Sequence, residues 1–388
     1  MLPRFALSRI GTDISRTIRA RTEWGESMKT LRDVAALFIF VLMIGGTIIA
    51  PSARAGDLSF QVGDLYALLR NYSFSTGAIV RIQPGGAGSW SVLSEFPTGI
   101  WPTTFTYDAY RGRLIYVYSA AVHEIRAMDA EGSYTVLVPG WRPDQLAARG
   151  DGILYIFEDD TAAVGFHYLD ASDVLHDLLD VTGTARFDLG PSGRLDEMIY
   201  DPGTNSLIGF VGDFTGIGIP ECPASHASCA VRIPLNAAGT QVAGPVVATS
   251  AEISTSFESP VGSGYVPGGG ILWVVDTNSN DQEPRLQLLD PSTMVTVPYA
   301  SPGFYIGAAS IGGGTYSAVR GQGVTLNPRD ENLRAWSFGE TGEGTQFASG
   351  ATPAIAYGRM VEIHIAPGGI FADGFESGNT DAWSFTTP

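Results

Sequence analysis

The residues best suited to chemistry in this chain are carboxylates and amides rather than nucleophiles. Asp276-Thr277-Asn278-Ser279-Asn280-Asp281-Gln282-Glu283 places oxygen-bearing side chains at its first, third and fifth positions. That alternation suits a hard cation such as calcium, with Asp276, Asn278, Asn280 and Asp281 as the candidate ligands. The sixth position is Asp281 rather than glycine and the twelfth is Gln287 rather than glutamate, so a polar loop between strands is the simpler reading. Four further acids, Asp108, Glu197, Asp201 and Glu258, stand at the edges of β-rich runs. Converging there around an axis, they would hold a metal for hydrolysis, of a lactone for instance. Glu258, within Phe257-Glu258-Ser259-Pro260, is the most suggestive of them. Asp108 and Asp201 recur at matching positions before a turn, which makes them turn formers first and ligands second.

Established catalytic signatures are missing. The chain has no Gly-x-Ser-x-Gly, no His-Glu-x-x-His, no phosphate loop and no dinucleotide fingerprint. His123-Glu124 lacks a second histidine, and histidines 123, 167, 176, 226 and 364 are scattered. The two cysteines, Cys222 and Cys229, enclose Pro-Ala-Ser-His-Ala-Ser. So close a pair reads as a disulfide pinning one loop in an oxidising compartment. A metal site from Cys222, His226, Cys229 and Glu221 is the weaker alternative, because zinc sites pair two ligand groups and only one is present.

Charge narrows the partners. The net charge is −17, and the only lysine is Lys29. Residues 1–55 hold 8 of the 23 basic and 4 of the 40 acidic residues, which leaves 15 arginines against 36 acids, a net charge near −21. A chain so acidic is a poor ligand for nucleic acid or anionic membrane, which need clustered bases. Without lysine beyond residue 55, Schiff-base chemistry is excluded there.

Residues 28–55 have the parts of a secretory signal. Lys29 and Arg32 are the positive start, Val34 to Ala50 carries no charge, and Ala53-Arg54-Ala55 is a small-x-small cleavage site. An uncleaved anchor is the alternative and would be the chain's only membrane contact. Gly45-Gly46 and Pro51 favour cleavage, because they break a helix where the chain must become extended. Residues 1–27 are read as a non-native extension, with Met28 the natural start. The expected location is secreted or periplasmic.

The elements that position these residues are short strands separated by Gly, Asp, Asn, Ser and Pro turns, with no convincing amphipathic helix. They recur in order. A strand, turn and second strand appear in Phe105–Asp108 with Leu114–Tyr116, and in Met198–Asp201 with Leu207-Ile208. Looser copies run Leu146 to Tyr155, Gly264 to Trp273 and Ala308 to Tyr316, and Asp64-Leu65-Tyr66 is a first copy of the second strand. A third strand, an Asp-led turn and a fourth strand appear at Ile125–Leu137, Tyr168–Leu175 and Leu288–Val295. Val231–Ile233 and Leu333–Trp336 are further third strands. Anchors at 66, 116, 155, 208, 273 and 316 define an all-β, single propeller of four-stranded antiparallel blades over residues 56–366. Six blades are favoured and seven are the alternative. Ala354 to Ile365 is expected to close the ring by pairing with the N-terminal strands.

On this repeat grammar the chain, over residues 58–366, resembles the six-bladed β-propellers of the TolB-like and NHL-like group. The resemblance implies a fold rather than an activity. Residues 367–388 form a tail in which Phe371-Ala372-Asp373-Gly374-Phe375-Glu376-Ser377-Gly378, with Trp383 after it, is similar to tails of secreted Gram-negative proteins. The functional expectation is an exported, non-catalytic, monomeric propeller that binds a protein or glycan partner on one ring face. A metal-dependent hydrolase using the axial acids is the rival.

Overall fold

The computed structural model describes residues 60–70, 77–82, 90–97, 99–100, 102, 104–158, 165–190, 195–212, 222, 228–249, 258–267, 270–277, 285–300, 313–327, 332–342, 344–349 and 357–362. Their strands follow in chain order. β1 (Leu65–Arg70), β2 (Gly77–Ile82) and β3 (Ser91–Phe96) come first. The first complete blade is β4 (Phe105–Asp108), β5 (Arg113–Ser119), β6 (His123–Met128) and β7 (Tyr134–Pro139). The second is β8 (Gln145–Ala148), β9 (Leu154–Glu158), β10 (Gly165–Leu169) and β11 (Leu175–Asp177). β12 (Glu197–Asp201), β13 (Ser206–Gly212), β14 (Ser228–Pro234) and β15 (Val247–Ala248) make the third. The fourth has β16 (Glu258–Tyr265), β17 (Ile271–Thr277), β18 (Arg285–Asp290) and β19 (Val295–Ala300). The fifth has β20 (Gly313–Ser317), β21 (Gln322–Asn327), β22 (Asn332–Trp336) and β23 (Thr345–Ser349), and β24 (Tyr357–Glu362) is last.

Each blade is a four-stranded antiparallel sheet in sequence order, except the one that closes the ring, whose order is β24-β1-β2-β3. There the last strand pairs with the first, Leu65 opposite Glu362 through Arg70 opposite Tyr357. This closure settles the blade count at six. Within 354–365, Tyr357–Glu362 supplies the missing inner strand of a sixth blade and not the start of a seventh.

The core explains the apolar runs. A blade's two faces both pack on neighbours, so its middle strands are buried throughout, as in Leu154-Tyr155-Ile156-Phe157-Glu158. Alternate residues serve opposite seams. On β1, Leu65, Ala67 and Leu69 pack against Val324, Leu326 and Leu333 of the fifth blade, while Tyr66 and Leu68 pack against Phe105, Leu114 and Tyr116 of the first. The same division makes six apolar clusters among the described residues, one for each seam of the ring. A ring of wedges is the structure that buries both faces of every sheet at once.

Turn chemistry fixes the blade edges. Between third and fourth strands, Asp129 accepts from the backbone N–H groups of Glu131 and Ser133, Asp170 from those of Ser172 and Val174, and Asp290 from that of Ser292. These are the Asp-led turns that the repeats announce. The third–fourth pairing also carries a bulge in four blades, at Ile79/Val80, Ile125/Arg126, Leu286/Gln287 and Leu333/Arg334. A bulge there sharpens the twist of the outer edge.

One anchor is corrected. Tyr316 lies on β20, the inner strand of the fifth blade, and not on its second strand, which is Gln322–Asn327. The misplacement has a physical source. β20 begins with Gly313-Gly314 and reads as a weak strand, while β21 carries Val324 and Leu326 without an aromatic marker.

Candidate functional site

The six first strands, β4, β8, β12, β16, β20 and β24, line the axis, and each touches the next around the ring. All four candidate acids belong to them. Asp108 closes β4 and Asp201 closes β12, whereas Glu197 opens β12 and Glu258 opens β16. Strand rise puts Glu197 and Asp201 about 13 Å apart along the same strand. The set therefore divides between two ends of the ring.

Asp108 is almost wholly buried and holds two arginines. Arg111 Nη1 donates to its Oδ2 at 2.7 Å and Arg113 Nε at 3.0 Å. Both arginines then cross to the second blade. Arg111 donates to the carbonyls of Gly152 and Asp170, at 3.0 and 2.9 Å, and Arg113 Nη1 to Asp173 Oδ2 at 2.9 Å. Asp108 is thus the hub of a bolt across one seam. Arg232 does similar work from the third blade, donating to the carbonyls of Pro291 and Ser292 in the fourth.

Asp201 caps its own turn, accepting from the N–H groups of Gly203 and Thr204 and from the Thr204 hydroxyl. Beside it lies Tyr265, the last residue of β16. Burial, then the charge of Asp201 and the neighbouring Tyr200, push its phenol far above the usual range. Its hydroxyl oxygen is buried and has no hydrogen-bond partner among the described residues.

At the opposite end, Glu197 Oε1 accepts from Ser263 Oγ on β16 at 3.1 Å. Glu258 opens that same strand, where its backbone pairs with Thr277. Two acids thus head neighbouring inner strands. On its other side β16 meets β20 backbone to backbone: a Cβ at Gly262 would collide with the carbonyl oxygen of Gly314, and one at Gly264 with the amide of Tyr316. Thr315 Oγ1 donates to Ser263 O at 3.0 Å across this contact.

The proposed calcium segment begins on a strand. Asp276 pairs with Ser259 at the end of β17, and Asn278, Asn280 and Asp281 lie outside the described residues. Among the described residues no three His, Cys, Asp or Glu are gathered as metal ligands. Cys222 and Cys229 form the disulfide. Both are buried in the cluster between the second and third blades, so the bridge ties its loop into the core. The loop lies between β13, which runs to Gly212, and β14, which starts at Ser228. Glu221, His226, His364, the signal segment and the tail lie outside the described residues.

The arginines are what sequence reading passed over. Counted there only as charge, Arg111, Arg113 and Arg232 organise the seams. The signal available was Asp108 followed by Arg-x-Arg at 111 and 113, an acid and two bases flanking one tight turn.

The fold is a six-bladed β-propeller, an assignment that rests on the strand order and the ring closure. The chain is similar to a crystal structure of TolB from Acinetobacter baumannii, with 12% identity over 74% of this chain and 67% of that one and a TM-score of 0.44. No protein-family model matches the chain, and no curated protein does.

Proposed function

We propose that this chain is an exported, non-catalytic β-propeller that binds a protein or glycan partner on one face of its ring. The observation that supports the reading is the contrast between the first-to-second and the second-to-third strand connections, which leave from opposite faces of the ring. First and second strands are joined by the short segments 109–112, 149–153, 202–205, 266–270 and 318–321. Second and third strands, which meet at the other face, are joined by segments as long as 213–227 and 278–284. Long connections on a rigid scaffold are where recognition concentrates. The disulfide-tied loop and the Asp/Asn-rich segment both leave from that face, from neighbouring blades. On the tight-turn face, Asp108 and Asp201 are committed to turns and seams. Export is supported by the 28–55 segment and by a disulfide, which persists in oxidising compartments.

The test is a pair of loop exchanges in the chain from residue 56. Binding to a panel of envelope glycans and extracytoplasmic proteins should be lost when 213–227 is replaced by a short Gly-Ser turn that also removes Cys222. It should survive replacement of 202–205. Equal effects from both exchanges would sink the face assignment. Turnover of a lactone or ester that disappears in Glu197→Gln or Glu258→Gln would instead establish the hydrolase.

A further inference from the structure

A small hairpin spans the seam between the second and third blades. Residues 178–187 leave β11 as a small hairpin: Leu178 and Phe187 pair with each other, and so do Asp180 and Ala185. Both arms meet β10 at their base, where Phe166 donates to Phe187 O and accepts from Leu178 N. The outgoing arm also reaches the third blade, with Leu179 N donating to Thr240 O and Val242 N to Leu179 O. The hairpin is a clasp made of backbone bonds to both blades.

One side chain pins that clasp to its own blade. Arg186, on the returning arm, lies so close over Gly165 that a Cβ there would collide with it. Its Nη1 is 3.3 Å from Nε2 of His167 on β10. His167 is buried, with Trp141 packed edge-on against its ring at 4.6 Å between centroids. Its Nδ1 is 2.8 Å from Asp177 Oδ1 on β11. A guanidinium only donates, so Nε2 must accept and the proton must sit on Nδ1, donated to Asp177. His167 is therefore neutral when the clasp is closed.

We propose that His167 is a pH-sensitive pin: its protonation releases Arg186 and loosens the clasp between the two blades. A proton on Nε2 would set a donor against a donor and a cation against a cation. Among the described residues the acid on that side is Glu158 of β9, whose Oε2 is 3.9 Å away and would draw the protonated ring from Arg186. Asp177 holds the opposite nitrogen in both states, so among the described residues the charged groups facing the ring are Glu158, Asp177 and Arg186. Burial first, and Arg186 after it, lower the ring's pKa against the pull of Asp177, which fits a neutral closed state.

The test is amide exchange of Leu179 and Val242 in the chain from residue 56, read as protection factors between pH 7.5 and 5.5, with a ring titration of His167. The closed clasp should lose protection about tenfold for each unit by which the pKa is depressed. His167→Gln, a neutral side chain whose amide can still accept from Arg186, should remove this pH dependence. Should that variant misfold, the wild-type titration decides alone. Protection constant across the range, or a His167 that titrates at or above the ordinary histidine value, overturns the proposal.

Discussion

Two seams of the same ring are closed by opposite means. Between the first and second blades, Asp108, Arg111, Arg113 and Asp173 form a polar bolt at the turns. Between the fourth and fifth, β16 and β20 approach backbone to backbone through Gly262, Gly264 and Gly314. Both seams bury an apolar cluster behind these features. The difference shows that the shared apolar wedge is what the fold requires. How the wedge is finished is left to local sequence, by charge where side chains are long and by close approach where there are none.

Breaking the glycine seam should do the most damage. Gly262→Ala puts a methyl group into the backbone of Gly314, which cannot give way like the end of a flexible side chain. The expected loss is about 3 kcal/mol or more in urea unfolding. A loss below about 1 kcal/mol would mean that the strands are further apart than described.

Breaking the bolt should cost less and depend on which acid is removed. Asp108→Ala leaves two half-buried guanidinium groups without their hub and should cost about 2–3 kcal/mol, discounted for their access to water. Asp173→Ala removes a more exposed partner and should cost about 1 kcal/mol. The double variant should cost less than the sum of the two, because both acids serve Arg113. Strict additivity would show that the bolt is not a network.

Acid should act on seams and turns in order. His167 has a folded-state pKa below the roughly 6.5 of a free histidine, so the native state binds fewer protons than the unfolded one as pH falls. Its contribution is complete above that pH and declines below it, and the wild type should lose melting temperature from pH 7.5 to 5.5 more steeply than His167→Gln. The Asp290 carboxyl is pushed down to about 2, chiefly by the hydroxyls of Ser292 and Thr293. It stabilises above the ordinary aspartate range and is lost as pH approaches 2. The destabilisation of Asp290→Ala should therefore be visible at pH 6 and vanish near pH 2.

The smallest effect should be a gain. Tyr265→Phe removes a buried hydroxyl that has no partner among the described residues, and it should raise stability by up to about 1 kcal/mol. A loss instead would mean that the hydroxyl has a role beside Asp201.

Much of this ring is legible in the sequence because blades repeat. The Asp-led turns at 129, 170 and 290 and the Leu-Tyr second strands at 65–66 and 154–155 each carry a local rule visible without a structure. The ring closure is legible for a related reason, since a strand-like run near the end that is too short for a blade must find the unpaired edge of β1. Seams are less legible. Arg111 meets Gly152 and Asp170, and Gly262 meets Gly314, across distances in sequence that no turn or period encodes. Tyr316 shows the same limit, because an inner strand defined by its glycine contact looks like no strand in isolation. Of the candidate acids, Asp108 and Asp201 stand before turns in the sequence and accept from turn N–H groups in the structure. The sequence offered no means of seeing that Glu197 and Glu258 head adjacent inner strands.

Everything above depends on one ring closed by β24 on β1. Amide exchange of Leu65–Arg70 tests that directly, in the chain from residue 56 and in the same chain ended after residue 356. Protection on β1 should fall sharply in the shortened chain, because its partner strand is gone. β1 amides equally protected in both chains would contradict the closure, and with it the six-bladed ring.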